Sequence, residues 1–153
     1  MDPRLAALVA SANAEPQVGE MPTVTLPTGP WMVTGIPISD NAFFHFSAHA
    51  ITQQTVSGLH PKAQRSLAAE GQSGNRLNDM REAATKLVLT TGGTVDSSNV
   101  LCLRDVKFNS TAGEISTPVA RVPLHSISAW WITPWEHKQA RSTGYFVGVD
   151  FSF

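Results

Sequence analysis

Apolar and polar residues alternate in two short segments near the start of the chain. In residues 23–26 the alternation places Val24 and Leu26 on one face, and residues 31–38 alternate in the same way. A period of two is typical of β-strands that bury one face. The residues between the two segments, 27–30, are Pro-Thr-Gly-Pro and have the composition of a turn. We therefore predict a β-hairpin.

A second block, residues 99–132, has the same β character. We predict one strand at 100–108 and another at 120–132, with a turn at the sequence NSTAG between them. Strict alternation divides the first of these strands into two faces, one with Leu101, Leu103, Asp105 and Lys107 and the other with Val100, Cys102, Arg104, Val106 and Phe108.

The last ten residues, 144–153, alternate once more. Their apolar and aromatic members share one face and are Tyr145, Val147, Val149, Phe151 and Phe153. An exposed edge strand of this composition would aggregate. We therefore predict that this strand pairs in a sheet or is buried.

A helical period replaces the alternation between the two β blocks. Residues 61–70 and 75–89 are typical of helices, and the second of them carries an apolar stripe at spacings of three and four. The stripe consists of Leu77, Met80, Ala84 and either Leu87 or Val88.

Residues 42–51 fit either period. As a strand they would place Phe44 and Phe46 on one face, whereas as a helix they would be capped by Ser39 or Asp40. The alanines in the second half of the segment have little β propensity. We therefore favour the helix.

The N-terminal residues allow two interpretations. A helix with Asp2 as its N-cap and Pro3 at its first position would place Leu5, Leu8 and Val9 on one face. Alternatively, these residues form a loose arm that becomes ordered only on a partner. The pattern does not separate the two.

These elements predict one domain with an α+β fold that is mainly β. Residues 1–22 form the N-terminal helix or arm, and residues 23–153 form a small antiparallel β-barrel or a strongly bent sheet. We expect the helical insert at about residues 61–89. A chain of 153 residues is long enough to bury a core of its own.

The surface of this chain carries few charges. Apolar residues make up 42% of the chain and charged residues only 15%, with a formal net charge of −1. Weak repulsion between such surfaces favours self-association. Nucleic acid requires clustered lysine and arginine, so we predict that it is not a partner. A run of about 18 apolar residues is absent, and the first residues lack the basic start of a secretion signal, which predicts a cytoplasmic protein with no membrane span.

The sequence contains no motif of an enzyme or of a cofactor site. His45 and His49 would share a helix face, but a third ligand is missing, so we expect no metal. The motifs of phosphate loops, zinc proteases and nucleophile elbows do not occur. Cys102 lies in an apolar run, which predicts a small buried residue and not a nucleophile. We therefore predict a protein that is not an enzyme and binds no cofactor.

Aromatic residues are concentrated in the last quarter of the chain. Trp130 and Trp131 are adjacent, so on a strand they would point to opposite faces and a single core could bury only one of them. The other ring is covered either within the chain or by a second subunit, and protein interfaces are enriched in such residues. We predict that one of the two lies at a subunit contact. The candidate interface residues are Trp130, Trp131, Trp135, Tyr145, Phe151 and Phe153.

Two segments resemble the gas-vesicle accessory protein U family and its small bacterial relatives. They are TVTLPTGPWMVTGIPISDNAFF, residues 23–44, and NVLCLRDVKFNSTAGEISTPVARVPLHSISAW, residues 99–130. The chain departs from the family pattern in the first turn, where the family has two glycines and this chain has Thr28, Gly29 and Pro30. Residues 133–153 have no counterpart in the pattern.

The first segment also resembles the opening of Sm-like barrels. Gly29, Gly35, Asp40 and Asn41 stand at the places of that pattern. Both resemblances imply a strongly bent antiparallel barrel, an Sm-like barrel in the second case, that assembles with copies of itself. Sm-like proteins usually bind RNA, but the basic and aromatic loop residues that carry this function are not evident here.

The expected function is that of a non-enzymatic assembly or adaptor protein. It would act through homo-oligomerisation and through contacts with other proteins, and the first resemblance implies gas-vesicle formation or clustering. The alternatives are an Sm-like RNA-binding module and a virion structural protein of a head or a tail.

Overall fold

The computed structural model describes residues 2–14, 21–72, 74–91 and 97–132. Its elements in chain order are α1 (Pro3–Asn13), β1 (Val24–Thr28), β2 (Trp31–Ile38), α2 (Asp40–Ser57), α3 (Pro61–Glu70), α4 (Asn75–Thr91), β3 (Val100–Ser110) and β4 (Gly113–Pro123). Short 3₁₀ turns precede β3 and follow β4, the second at Leu124–Ser126. The predicted α+β class is confirmed, but the prediction that the fold is mainly β is wrong, because about 52% of the described residues are helical and about 31% are in strands. The excess comes from α2 and α4, which have 18 and 17 residues, while no described strand has more than 11.

The four strands form one antiparallel sheet in the order β1-β2-β3-β4. β1 and β2 are the predicted hairpin, whose turn contains Gly29 with a φ of +57°. After β4 and its 3₁₀ turn, the chain crosses to the opposite edge of the sheet and lies along β1. There Trp131 pairs with Thr25 and Ile127 pairs with Thr28 in isolated bridges. The described strands alone do not close the sheet into a barrel.

The strand β3 contains a bulge, so the predicted strict alternation is wrong beyond Arg104. Asp105 has a φ of +52°, and the pairing of β2 with β3 shifts where Gly35 faces this part of β3. A bulge places one extra residue on its strand and reverses the alternation after it. Val106 therefore joins Leu103 in the main core. A period of two cannot reveal an inserted residue.

The main core lies between α1 and one face of the sheet. The N-terminal residues form the helix of the two alternatives, with Asp2 as N-cap accepting a hydrogen bond from the Arg4 backbone N–H at 2.8 Å. The buried residues of this core are Leu5, Leu8, Val9, Val24, Leu26, Val33, Leu101, Leu103, Val106, Val122 and Leu124.

The insert between β2 and β3 contains three helices in its described residues and begins earlier than predicted, at Asp40 instead of about residue 61. Ser39 caps α2, and its hydroxyl accepts a hydrogen bond from the Ala42 N–H at 3.1 Å. This cap confirms the helical interpretation of the ambiguous segment. Ala84 and Val88 of α4 bury against α2, whereas Leu87 is half exposed. None of the helices in the described ranges combines the length and the hydropathy needed to cross a bilayer.

The predicted strand at 120–132 is divided in the structure. β4 ends at Pro123, which lacks a backbone N–H for a ladder, and the 3₁₀ turn follows. Only Ile127 and Trp131 of the remainder take part in bridges. The predicted strand at 144–153 lies outside the described residues.

Candidate functional site

The first half of β4 is the most exposed part of the sheet. Gly113, Glu114, Ile115 and Ser116 are all exposed, and the side chain of Ile115 retains 56% of its accessible surface. Within the described part of the chain, β4 pairs with β3 alone. We call residues Gly113–Thr117 the edge segment. Unpaired backbone groups on such an edge are a template for another strand.

A line of four apolar side chains crosses the sheet and ends at the edge segment. Leu26 pairs with Val33, Val33 pairs with Phe108, and Phe108 pairs with Ile115. Residues paired in this way lie on the same face of a sheet. Leu26 and Val33 are buried, Phe108 is partly buried, and Ile115 is exposed. This apolar row therefore connects the core directly to an uncovered apolar side chain.

The opposite face of the sheet is polar in this region. Thr34 pairs with Lys107, and Lys107 pairs with Ser116. The Lys107 ammonium also lies 3.7 Å from the carboxylate of Glu114. The Lys107 side chain is 58% exposed and that of Glu114 is 50% exposed, so this ion pair contributes little to stability. The edge segment thus has one apolar and one charged side.

Pro118 marks the end of the edge segment. It stands between Thr117 and Val119, which pair with Val106 and Arg104, and it faces the bulged Asp105. Beyond it, Val119 of β4 and Phe43 of α2 both pack against the cluster of Ile38, Val100 and Cys102. The exposed side chains of β4 are therefore concentrated in the half of the strand that lies away from the helices.

An open groove of about 870 Å³ lies beside the edge segment, between the turns of the two hairpins. Trp31 and Met32 line it from β2, and Asn109, Gly113 and Glu114 line it from the other hairpin. The Trp31 ring meets the Phe108 ring edge to face, with centroids 6.3 Å apart. Glu114 contributes the only titratable side chain in its described lining.

A second group of side chains joins α2 to the sheet on the far side of Pro118. The Arg121 guanidinium donates to the Asp40 carboxylate at 2.6 Å and lies over the rings of Phe43 and Phe44, 4.4 and 5.0 Å from their centroids. The Cys102 thiol lies 3.6 Å from the same carboxylate. Burial raises the pKa of Cys102 to about 11. A thiol with this pKa is almost entirely protonated at neutral pH and is therefore a poor nucleophile.

The structure places only two of the six predicted interface residues. The Trp130 ring packs against the main core, and its Nε1–H donates to the Asp2 carboxylate at 2.9 Å. Trp131 is partly buried and exchanges backbone hydrogen bonds with Thr25 at 3.0 and 3.1 Å. The other four, Trp135, Tyr145, Phe151 and Phe153, lie outside the described residues.

The histidines singled out in the sequence do not build a site with other groups. His45 and His49 are both exposed on α2. Among the residues whose placement is described, His, Cys, Asp and Glu form no group of three that could hold a metal ion.

Sequence reasoning overlooked the edge segment as a functional surface. The signal was present: an alternating stretch, EIST, follows a turn and ends at a proline. Proline within a strand is confined to edges and bulges, and Pro118 meets both conditions, because β4 is an outer strand and Pro118 faces the bulged Asp105.

Comparisons of the chain with protein-family profiles, with curated proteins and with solved structures give no match.

Proposed function

We propose that this chain is a non-enzymatic assembly protein that associates with copies of itself. The observation that carries the proposal is the edge segment, where an exposed strand edge and the exposed Ile115 occur together. Either feature alone occurs on many monomers, but together they provide both a backbone template and apolar surface to bury. The low charged content of 15% supports the same conclusion.

The path of the chain supports an Sm-like arrangement as part of this proposal. The segment from Ile127 to Trp131 lies along β1, so the element after β4 reaches the opposite edge of the sheet. The bulge at Asp105 and the tight approach at Gly35 favour a strong bend between the two edges. Such a bent sheet presents β4 as an edge that a second subunit can extend.

The setting of this assembly role follows from the resemblance to gas-vesicle accessory proteins. We propose gas-vesicle formation or clustering in the cytoplasm as the process that it serves. The predicted contact through Trp131 and the four aromatic residues of the C-terminal region also belongs to the proposal. Other protein partners would bind the same low-charge surface.

Light scattering on the purified chain tests the proposal. We expect a mass above that of the 16.4 kDa monomer at high micromolar concentration, falling on dilution. A monomeric mass at all accessible concentrations would overturn the self-association. A parallel titration with single-stranded RNA supplies the control for the RNA-binding alternative, which predicts salt-dependent binding.

A further inference from the structure

We propose that two copies pair through their edge segments as antiparallel strands, with Ile115 of one copy directly opposite Ile115 of the other. This inference rests on the proposed function and specifies the surface, the partner and the register. The pairing would join the two sheets into one continuous eight-stranded sheet. A two-fold axis would pass between the two Ile115 residues.

The apolar row determines which residue stands at the axis. In the monomer it ends at Ile115 with no apolar neighbour opposite it on the outer side of β4, within the described residues. With Ile115 at the axis, the row continues into the row of the second copy. Side chains directly opposite each other in an antiparallel pair lie about 4.5–5.5 Å apart at Cβ. Each isoleucine would therefore cover the other.

The same register also satisfies the polar side of the edge segment. It places Glu114 of one copy opposite Ser116 of the other, and Gly113 opposite Thr117. Like charges are therefore not opposed. Ser116 already has Lys107 as its neighbour on the inner side, so the incoming carboxylate of Glu114 arrives next to an ammonium group.

Neighbouring registers are less favourable. Centring the pair on Glu114 would oppose two carboxylates, which is destabilising. Centring it on Ser116 would bring Pro118 opposite Glu114, and centring it on Thr117 would bring Pro118 into the middle of the ladder. Proline lacks the N–H that a ladder requires.

A second copy is the partner that this segment fits, because the segment is self-complementary about Ile115.

The pairing should be weak. Five residues make a short ladder, and a specific stable interface buries at least about 1,200 Å². The assembly is therefore expected to depend on concentration, and a charged substitution at the axis should weaken it strongly. Pro118 also keeps the ladder short, because it limits how far an added strand can extend along β4.

Disulfide trapping tests the register. Paired Cα atoms in an antiparallel ladder are about 4.5–5.5 Å apart, within the range that a disulfide spans. Ile115→Cys should form a covalent dimer under mild oxidation. Glu114→Cys and Ser116→Cys should not cross-link alone but should cross-link when mixed. The wild-type chain controls for the buried Cys102, and Leu89→Cys on α4 controls for random collision, since Leu89 is 62% exposed.

Ile115→Lys gives a second, independent measurement. Two lysines would face each other at the axis, so we expect self-association to weaken by about tenfold or more with an unchanged melting temperature. Leu89→Lys should leave association unchanged. If the wild type associates but Ile115→Lys associates equally well and Ile115→Cys does not cross-link, the edge pairing is wrong while the proposed function stands. If the wild type is a monomer, both fail.

Discussion

The guanidinium of Arg121 on β4 lies 2.6 Å from the carboxylate of Asp40 in the first turn of α2. The Arg121 side chain is 16% exposed and that of Asp40 is 29% exposed, so the pair is largely removed from water. Breaking a fully buried pair costs about 3–5 kcal/mol and breaking an exposed one less than about 1 kcal/mol. We expect Arg121→Met to lower the free energy of unfolding by roughly 1–3 kcal/mol in urea denaturation.

The chain offers a matched control for this substitution. Arg76 forms an ion pair with Glu70 between α4 and α3, and the Arg76 side chain is 52% exposed. Arg76→Met should change the free energy of unfolding by less than about 1 kcal/mol. Equal losses in the two variants would show that Arg121 does not anchor α2 to the sheet.

Cys102 should react slowly with thiol reagents in the native protein. It is 5% exposed, and burial raises its pKa to about 11. At about pH 8 very little of it is thiolate, so labelling should follow the fraction of unfolded chain as urea is added. The unfolded chain supplies the fast reference rate. Rapid labelling without urea would contradict the buried structural role of this residue.

Gly35→Ala should destabilise the sheet. A Cβ at this position would lie 3.1 Å from the Cβ of Leu103 and 3.2 Å from the carbonyl oxygen of Arg104, on the neighbouring strand at the bulge. Neither atom can rotate away, so we expect a loss of about 1–3 kcal/mol. The control is Gly58→Ala at the end of α2, where the nearest atom is 3.4 Å away and φ is −78°. Thermal unfolding that ranks the two alanine variants equally would contradict the tight approach.

The contact of Trp130 with Asp2 predicts a dependence of stability on pH. The hydrogen bond from the indole N–H, together with that from the Arg4 backbone, lowers the pKa of Asp2 below its ordinary value of 3.8. The folded state therefore favours the carboxylate, and its contribution is complete above that ordinary value and is lost as the pH falls through the lowered one. We expect the melting temperature of the wild type to exceed that of Asp2→Asn above this range, with the difference disappearing in acid. A difference that is constant with pH would show that the charge of Asp2 is not involved.

The two adjacent tryptophans should respond differently to alanine substitution. The Trp130 ring packs against the main core, so Trp130→Ala should destabilise the fold, by roughly 2–4 kcal/mol for a partly buried ring. Trp131 is tied to Thr25 through backbone hydrogen bonds that alanine retains. Trp131→Ala should therefore stay folded. Because the predicted subunit contact is removed, the mass of the assembly measured by light scattering should fall. An unchanged mass would remove Trp131 from the interface.

The sequence was sufficient to predict the elements whose signals are local. The β1–β2 hairpin follows from alternation around a Gly/Pro turn. For α1, the Asp2 cap with Pro3 behind it supported a helix, but the pattern did not separate that helix from a loose arm. For α2, a cap at either Ser39 or Asp40 and the alanines of the segment favoured a helix, and the structure places the cap at Ser39. In the hairpin turn and at the start of α2, one or two neighbouring residues determine the backbone, so no knowledge of the tertiary fold is required.

The features that depend on several strands could not be predicted. The bulge at Asp105 lies where the pairing of β3 with β2 shifts opposite Gly35, a residue far from Asp105 in the sequence. The exposure of Ile115 depends on how much of the core face α1 covers, and an isoleucine in an alternating segment is equally typical of a buried position. The edge segment therefore emerged only once the sheet order was known.

Amide hydrogen exchange measured at several protein concentrations tests the edge pairing most directly. Pairing of two edge segments gives new hydrogen bonds to backbone groups of Gly113–Thr117 that β3 leaves unpaired, and paired amides exchange slowly. We predict that protection of the amides in this segment rises with protein concentration in the wild type. This rise should be absent in Ile115→Lys, and protection in α4 should stay constant in both. Exchange in the edge segment that is independent of concentration, in samples whose mass shows association, would contradict the account.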